Sequence, residues 1–381
     1  MRELNTEKLK SSIEATAAAD LAAHRIGHAE IIVNQNGKRI FHGLFGEKTP
    51  GEKLPAGCVY RLASMTKPVT ACAVLLAVSR GDISLDDPIT KYIPSYRDLR
   101  IAELDGDGNV IEHGMNTVEI KIRHLLCHVS AIGTDPICYR IFDNMTDEEK
   151  KSLDSVVELF SRQPLAFTPL SRQSYCPTVA FDVAAKIIEK VTGTTYDRYL
   201  KENIFDKLGM IDTTFAPTAK QWDRTVSMYD VDENGQPVIG KTVPGCVFES
   251  LPPTYFCAGG GLVSTAEDYS RFAEMLLNEG TSANGVQVLP AEMIREMKTV
   301  QVPENVMSGN QRWGLGVRVI TDDDYGLPAG TFGWSGAYGT HFWVDPVNRI
   351  TAVYMKNARV DGGAGSKTSV QFEKDIMNSL L

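Results

Sequence analysis

A serine and a lysine stand three residues apart in the stretch RLASMTKPVT, which begins at Arg61. Positions with this spacing share one face of a helix, so the Ser64 hydroxyl and the Lys67 amine could lie within hydrogen-bond reach. A serine becomes a nucleophile when a base takes its proton, and a lysine that is neutral part of the time is such a base. The spacing indicates acyl-transfer chemistry, although about one Ser-x-x-Lys is expected by chance in a chain of this length.

The helix start that follows this pair would add to the chemistry. If Ser64 opens the helix, its backbone N–H has no acceptor within the helix. The helix dipole at this end also favours the negative charge that develops on a substrate oxygen. One helix start would then supply the nucleophile, its base and half of an oxyanion hole. The alternative is that Ser64 and Lys67 are ordinary polar residues before the apolar stretch TACAVLLAV.

Composition excludes several classes of function. The chain has 381 residues, of which 43% are hydrophobic and 23% charged, and its net charge is -9. This is typical of a globular protein and gives no reason to expect nucleic acid or a membrane as partner. The apolar runs are too short to span a bilayer and no signal peptide is seen, so we expect a cytoplasmic location. The seven cysteines lack CxxC spacing and are interpreted as free, mainly buried thiols.

Two short patterns suggest metal binding but do not complete a site. His124 and His128 lie one helical turn apart in RHLLCHVSAIG, where no acidic residue and no HExxH motif supplies a further ligand. We interpret this stretch as a helix end packed near the core. DGDGNV, residues 105–110, has valine where a calcium loop has its glycine, so it predicts a hairpin turn. We expect neither a metal nor an organic cofactor.

The first half of the chain reads as a helix, a hairpin and a series of helices. Residues 5–24 are alanine-rich and predict a helix, and Asn36-Gly37 between two apolar runs predicts a hairpin. The apolar helix after Ser64 is expected to stop at Gly81. Later helical patterns are expected to stop at Gly193 and Gly209.

The second half returns to strands. Ser264-x-x-Glu267 predicts a capping box at the start of one helix. RWGLGVRVI, GTFGWSGAYGTHFWV and NRITAVYMKN are strand-like and separated by turn residues, and a final helix is predicted over about residues 367–380.

This order of elements predicts an α+β fold. An antiparallel sheet would form from N- and C-terminal strands flanked by helices, with a mainly helical lobe inserted between them. No repeat or linker separates independent domains, so residues 1–381 are expected to form one domain. The expected lobes are a sheet lobe at about 1–85 and 215–381 and a helical lobe at about 86–214.

Six blocks in order give the chain a resemblance to the serine β-lactamase and penicillin-binding protein superfamily, specifically the class C-like branch that includes family VIII carboxylesterases. The blocks are YRLASMTKPVT, GDISLDDPITKYIP, IRHLLCHVSAIG, LKENIFDKLGMIDTTF, GGGLVSTAEDYSRF and GWSGAYGTHFWVDP. Spread over nearly the whole chain, they are far more specific than Ser-x-x-Lys alone. The resemblance implies a β-lactamase/transpeptidase-like fold, with Ser64 as nucleophile and Lys67 beside it.

The family's second motif, Tyr-x-Asn, is absent, and SYCPTVAFDVAA stands in its place. The resemblance implies that Tyr175 is a second base or shuttles a proton to the leaving group. Pro177 occupies the position of the asparagine and is assigned to substrate binding. The alternative for Tyr175 is that it only caps the next helix.

The third motif, Lys-Thr/Ser-Gly, is also absent, and Trp334-Ser335-Gly336 stands in its place. The resemblance implies that the N–H groups of Ala337 and Ser64 form the oxyanion hole. Trp334, Ser335 and Gly336 are assigned to substrate binding, with Trp334 as a pocket wall and Gly336 allowing close approach. GWSGA also nearly matches Gly-x-Ser-x-Gly, which makes Ser335 a rival nucleophile, but the strand-to-helix context is missing.

These departures favour esters over β-lactams. Pro177 has no amide donor and Trp334 carries no charge, and losing a charge-assisted contact to a carboxylate costs about 1.5–3 kcal/mol. We expect a serine hydrolase that forms an acyl-enzyme at Ser64, carboxylesterase-like on small or apolar esters, with weak β-lactam hydrolysis. Its partner is expected to be a small-molecule ester or amide substrate. The choice between Lys67 and Tyr175 as acylation base stays open. The alternatives are a true β-lactamase, a D-amino-acid peptidase or transesterase, and a non-catalytic binding protein on the same fold.

Overall fold

Strands from both ends of the chain form the central sheet of the protein. A computed structural model describes residues 1–134, 136–240, 254–307, 312–322, 326–363 and 365–381. Its strands, in chain order, are β1 His28–Gln35, β2 Lys38–Thr49, β3 Glu52–Lys53, β4 Tyr60–Arg61, β5 Arg100–Leu104, β6 Val110–Met115, β7 Tyr229–Val231, β8 Pro237–Ile239, β9 Val263–Ser264, β10 Arg312–Trp313, β11 Arg318–Val319, β12 Phe332–Ser335, β13 His341–Asp345 and β14 Ile350–Met355.

The large sheet has eight strands in the order β10-β11-β12-β13-β14-β1-β2-β3. Neighbouring strands are antiparallel, and β1 pairs with β14 so that Ile32 lies opposite Val353. This pairing joins the N-terminal strands to the C-terminal ones. It confirms the predicted α+β fold with a sheet built from the two ends of the chain. Small two-stranded ladders join β4 to β9, β5 to β6 and β7 to β8.

Most of the described helices lie between the two groups of sheet strands, and only the first and the last lie outside them. In chain order they are α1 Thr6–Ala22, α2 Thr66–Ser79, α3 Ile122–Leu126, α4 Pro136–Asp143, α5 Leu153–Phe160, α6 Val179–Thr192, α7 Tyr196–Leu200, α8 Asp206–Leu208, α9 Ala219–Asp223, α10 Ala266–Leu277, α11 Ala291–Met297 and α12 Lys367–Met377. A π-helical turn over Lys201–Phe205 joins α7 to α8. Among the described residues, no helix has both the length and the apolar character needed to cross a membrane.

The two faces of the sheet are covered by different helices. On one face, Trp343 of β13 and Phe372 of α12 belong to the apolar cluster that also contains Ile13 of α1. On the other face, Trp334 and Phe342 join the large core that includes the buried helix α2. Since successive side chains of a strand point to opposite faces, neighbouring residues of β12 enter different environments.

Most predicted turns and helix ends are confirmed, and they lie at residues with left-handed backbone, which glycine and asparagine tolerate. Asn36 and Gly37 have φ of 53° and 72° and connect β1 to β2, as a two-residue hairpin turn requires. Helix α2 is followed by Gly81, with φ of 78°, and α6 ends at Gly193, with φ of 68°. The hairpin predicted at DGDGNV connects β5 to β6.

The predicted cap of α10 was wrong by one residue. The N-cap is Thr265, whose side chain accepts the N–H of Asp268. Ser264 instead ends β9 and shares a 2.7 Å hydrogen bond with the Thr213 hydroxyl. Both residues can cap a helix, and the pairing of Ser264 in a strand decides between them.

The cysteines follow the prediction wherever they are described. Six are free and buried, and they are Cys58, Cys72, Cys127, Cys138, Cys176 and Cys257. Cys246 lies outside the described residues. Buried free thiols behave as small apolar residues and contribute to packing.

Candidate active site

Ser64 lies in a strained turn between β4 and α2. The turn spans Ala63–Met65, and Ala63 has a φ of 46°, in the left-handed region that residues with a side chain rarely adopt. A hydrogen bond of 2.9 Å from the N–H of Leu62 to the carbonyl of Leu262 holds the start of this turn. Ser64 is partly exposed, whereas its neighbours Ala63 and Met65 are buried. Strain of this kind persists where surrounding contacts hold it and is common at functional sites.

Lys67 is fully buried, and its amine contacts three oxygen atoms. Nζ lies 3.2 Å from Ser64 Oγ, 2.5 Å from the Pro177 carbonyl oxygen and 2.7 Å from the Gly259 carbonyl oxygen. As an ammonium, Nζ donates to all three oxygens, and once it has lost one proton it keeps two N–H donors and gains a lone pair. If the two carbonyls accept both donors, the lone pair faces Ser64 Oγ. This arrangement suits Lys67 to take the hydroxyl proton.

The two carbonyls come from segments that pack tightly against each other. Pro177 lies just before α6, and Gly259 lies in the turn before β9. A Cβ atom on Gly259 would sit 2.5 Å from Thr178 Cα and 2.6 Å from the Pro177 carbonyl oxygen, so only glycine fits. Sequence reasoning missed the role of Gly259, and the triple glycine in GGGLVS was the available signal. Pro177, predicted to bind substrate, offers its carbonyl to Lys67.

Asp182, another residue that the sequence reasoning missed, supports this arrangement from the first turn of α6. It is fully buried, and its carboxylate accepts the N–H of Ala258 at 2.7 Å and the hydroxyl of Tyr255 at 2.5 Å. Burial raises the pKa of the Asp182 carboxyl to about 7. Because Ala258 precedes Gly259, Asp182 fixes the segment that presents the Gly259 carbonyl. An aspartate inside the apolar run VAFDVAA was the only signal in the sequence.

The structure brings Tyr175 and Trp334 together beside Lys67. The Lys67 Nζ atom lies 4.9 Å from the centre of the Tyr175 ring, a distance at which a cation is attracted to the ring face. The indole N–H of Trp334 donates to the Tyr175 hydroxyl oxygen over 3.2 Å. Trp334 also packs edge-on against Trp313, with ring centres 4.4 Å apart. Tyr175 is thus held between a buried lysine and an aromatic wall.

The end of β12 packs directly against the turn that carries Ser64. A Cβ atom on Gly336 would lie 2.2 Å from both the Leu62 carbonyl oxygen and Thr340 Oγ1, so this contact requires glycine. Thr340 Oγ1 donates to the same Leu62 carbonyl over 2.9 Å. Ala337 follows and is exposed, and its N–H has no hydrogen-bond partner among the described residues. That donor is available close to the turn that carries Ser64.

Ser335 is not brought to this site. Its hydroxyl lies 2.7 Å from His341 Nδ1, and His341 Nε2 lies 3.0 Å from a carboxylate oxygen of Glu373 in α12. The three side chains belong to the sheet face opposite Trp334, and the residues are 3%, 3% and 8% exposed. The order serine, histidine, glutamate is that of a catalytic triad, but this burial leaves no surface for a substrate carbonyl.

Comparison with known proteins identifies the family of this chain. The Beta-lactamase family model matches residues 13–371. Esterase EstB of Burkholderia gladioli is 27% identical over 402 residues, which cover 96% of this chain and 94% of EstB. An uncharacterized protein of Mycobacterium tuberculosis is 32% identical over 327 residues, which cover 80% of this chain and 79% of that protein.

Solved structures show the same fold. EstCE1, described as a hydrolase with promiscuous acyltransferase activity, matches with a TM-score of 0.79 at 21% identity, covering 98% of this chain and 99% of EstCE1. Together with the family match, this likeness identifies the protein: the chain belongs to the Beta-lactamase family and is a serine hydrolase of the β-lactamase and penicillin-binding protein superfamily.

Proposed function

We propose that the protein is a carboxylesterase-like hydrolase that forms an acyl-enzyme at Ser64. The observation that carries the proposal is the Lys67 amine, 3.2 Å from Ser64 Oγ and held by two backbone carbonyls. In the first step Ser64 Oγ attacks the ester carbonyl carbon while its proton passes to Lys67. The C–O bond to the alcohol then breaks, and the alcohol leaves with a proton delivered from Lys67 or Tyr175. Water attacks the acyl group, releases the acid and returns the proton to Ser64.

Two backbone donors are proposed to stabilise the charged intermediate. The oxygen of the attacked carbonyl gains negative charge, and N–H groups aimed at it lower the barrier. The N–H of Ser64 lies in the first turn of the helical segment, and the N–H of Ala337, for which the described part of the chain offers no hydrogen-bond partner, lies just after β12. The close contact of Gly336 with the Leu62 carbonyl supports this pairing, because it brings the two segments together.

The contacts of Trp334 and Pro177 support an ester substrate. The superfamily resemblance places a lysine at the Trp334 position and an asparagine at the Pro177 position. In this protein the indole N–H of Trp334 is already engaged with Tyr175, and the Pro177 carbonyl with Lys67. Neither residue offers a charge or a free donor to the carboxylate and amide of a β-lactam. This loss lowers β-lactam affinity.

An apolar cleft beside Pro177 supports an apolar substrate group. Cys138, Tyr139 and Phe142 of α4 and Phe160 of α5 line it together with Pro177, and Asp143 adds one carboxylate, which would repel an anionic group. Apolar walls with aromatic rings favour a hydrocarbon acyl or alcohol group over a charged one. The name of the relative EstB, an esterase, supports an ester as the substrate. The substrate class is therefore a small ester with an apolar acyl or alcohol group.

Intact mass spectrometry and steady-state rates test the proposal. We expect a covalent acyl adduct after brief exposure to a p-nitrophenyl ester, and its loss in Ser64→Ala. We also expect kcat/KM for short-chain p-nitrophenyl esters to exceed that for cephalosporins by about one to two powers of ten. Rapid cephalosporin turnover without ester cleavage would contradict the ester preference. An adduct that still forms in Ser64→Ala would show that Ser64 is not the nucleophile.

A further inference from the structure

His128 contacts the chain on both sides of Tyr175. Its carbonyl oxygen accepts the N–H of Ser174 over 2.9 Å, and its ring nitrogen Nδ1 accepts the N–H of Cys176 over 3.1 Å. The His128 ring also packs against the Tyr175 ring, with centres 4.6 Å apart. One residue therefore binds the backbone before the tyrosine, the backbone after it and its side chain. The backbone carbonyl is present whatever the residue, but the hydrogen bond to Nδ1 requires an acceptor in the side chain, which a residue that only fills the core would not need.

The backbone at His128 is held in an uncommon conformation. The residue lies in the turn directly after α3, is fully buried and has a φ of 64°. Left-handed backbone is rare for residues with a side chain and persists where the surrounding contacts determine it. Here the determining contacts include the two hydrogen bonds to the segment that carries Tyr175.

Burial keeps the His128 ring in the state that this role needs. Burial, with the Lys67 charge as the second cause, holds the pKa of His128 well below its usual range, so the ring is neutral. Because Nδ1 accepts a backbone N–H, the ring hydrogen sits on Nε2. Nε2 has no hydrogen-bond partner among the described residues. A buried donor without a partner costs free energy, and the position nevertheless carries histidine rather than an apolar ring.

The same segment also presents the Pro177 carbonyl to Lys67. Pro177 is two residues after Tyr175, and the Cys176 N–H bound by His128 lies between them. A shift of this segment would move the Tyr175 hydroxyl and one of the two carbonyls on Lys67 together. Displacements of about 1 Å near reacting groups can lower rates about a hundredfold.

We propose that His128 is a positioning residue for the reaction, which holds Tyr175 and Pro177 in place through its Nδ1 acceptor and its carbonyl. This inference rests on the proposed function of Ser64, Lys67 and Tyr175. His128 does not touch substrate and acts through the segment 174–177.

A matched pair of substitutions separates the acceptor from simple packing. Asparagine and glycine both tolerate left-handed backbone and both remove the ring, but only asparagine carries an oxygen at the position of Nδ1. We expect His128→Asn to keep kcat for a p-nitrophenyl ester within about threefold of the original protein. We expect His128→Gly to lower kcat about ten- to a hundredfold with little change in KM, since a backbone N–H beside Tyr175 loses its acceptor.

Repeating both substitutions in a Tyr175→Phe background tests whether His128 acts through the tyrosine. If it does, His128→Gly lowers the remaining acylation rate by a smaller factor than it does beside Tyr175, because the hydroxyl is gone and only the Pro177 carbonyl is left to be displaced. Equal losses in the Asn and Gly variants, or an equal loss in both Tyr175 backgrounds, would overturn the proposal. Full activity in His128→Gly would do the same.

Two controls are needed, one for the folding of each variant and one for the identity of the nucleophile. Circular dichroism and urea unfolding establish that each variant is folded. If His128→Gly does not fold, the test uses His128→Asn with Tyr175 and with Tyr175→Phe. A loss of about tenfold or more in the acylation rate in both backgrounds then overturns the proposal. Only the adduct that Ser64→Ala abolishes is counted, so a different nucleophile would be recognised as failure of the proposed function rather than of the role of His128.

Discussion

The indole N–H of Trp334 donates a hydrogen bond to the hydroxyl oxygen of Tyr175 over 3.2 Å. Trp334 stands where the superfamily resemblance places a cation, and Tyr175 stands where it places a proton-transferring tyrosine. The tryptophan therefore does more than remove a charge from the substrate pocket. It supplies a fixed donor to the tyrosine.

Trp334→Phe should reveal the value of this donor. Phenylalanine keeps an aromatic wall but has no N–H, so we expect kcat/KM for p-nitrophenyl esters to fall about three- to tenfold, the usual worth of one neutral hydrogen bond. Trp222→Phe, the same substitution in α9 away from Tyr175, should leave the rate within about twofold. An unchanged rate in Trp334→Phe would show that the hydrogen bond does not serve the reaction.

Gly259→Ala should damage both stability and activity. The added Cβ would lie 2.5 Å from Thr178 Cα, so the backbone must shift, and we expect a loss of about 1–3 kcal/mol in the free energy of unfolding. We also expect a fall in kcat, because the Gly259 carbonyl holds Lys67. Urea unfolding and ester hydrolysis measure the two effects.

The control for this substitution is Gly106→Ala in the exposed turn between β5 and β6. A Cβ there meets no atom within 4 Å, and stability should change by no more than about 0.5 kcal/mol. The role given to Gly259 fails if both variants behave like the original protein.

Asp182 should make stability depend on pH. Its pKa is about 7 in the folded protein against an ordinary value of 3.8, so the folded state holds the proton more tightly than the unfolded state. Between these values the free energy of unfolding therefore falls as pH rises. The asparagine side chain of the Asp182→Asn variant cannot ionise, so its free energy of unfolding should lose this contribution to the pH dependence. Between pH 5 and pH 7 the original protein should lose roughly 1–3 kcal/mol relative to the variant.

Urea unfolding at pH 5, 6, 7 and 8 measures this difference, since both proteins share every other titrating group. Parallel pH profiles for the two proteins would show that the Asp182 carboxyl ionises as it does in an unfolded chain.

Ser335→Ala should keep the acyl adduct that Ser64→Ala loses. The Ser335 hydroxyl is buried against His341, so its removal leaves a buried ring nitrogen without a partner. We expect a loss of about 1–3 kcal/mol in the free energy of unfolding and little change in the rate of acylation. Intact mass spectrometry of both variants measures the adduct. A folded Ser335→Ala protein without an adduct would make Ser335 the nucleophile.

Local patterns were sufficient for the elements that depend on neighbouring residues. The turn at Asn36-Gly37, the ends of helices at Gly81 and Gly193, and the helix after Ser64 follow from backbone preferences and hydrophobic spacing. The cap of α10 shows where such reasoning stops. Ser264 and Thr265 are equally good caps by sequence, and only the pairing of β9 with β4 uses Ser264 in a strand.

The sequence by itself determined that a serine and a lysine share the start of a buried helix, because that spacing lies within one helical turn. The tertiary structure decided what surrounds them. Three features depend on how the folded chain packs. They are the contact of the Gly259 carbonyl with Lys67, the hydrogen bond from the Cys176 N–H to His128 beside Tyr175, and the burial of Ser335 against His341. Such contacts leave only weak local signals, because a carbonyl oxygen is present at every position and its role is set by what packs against it.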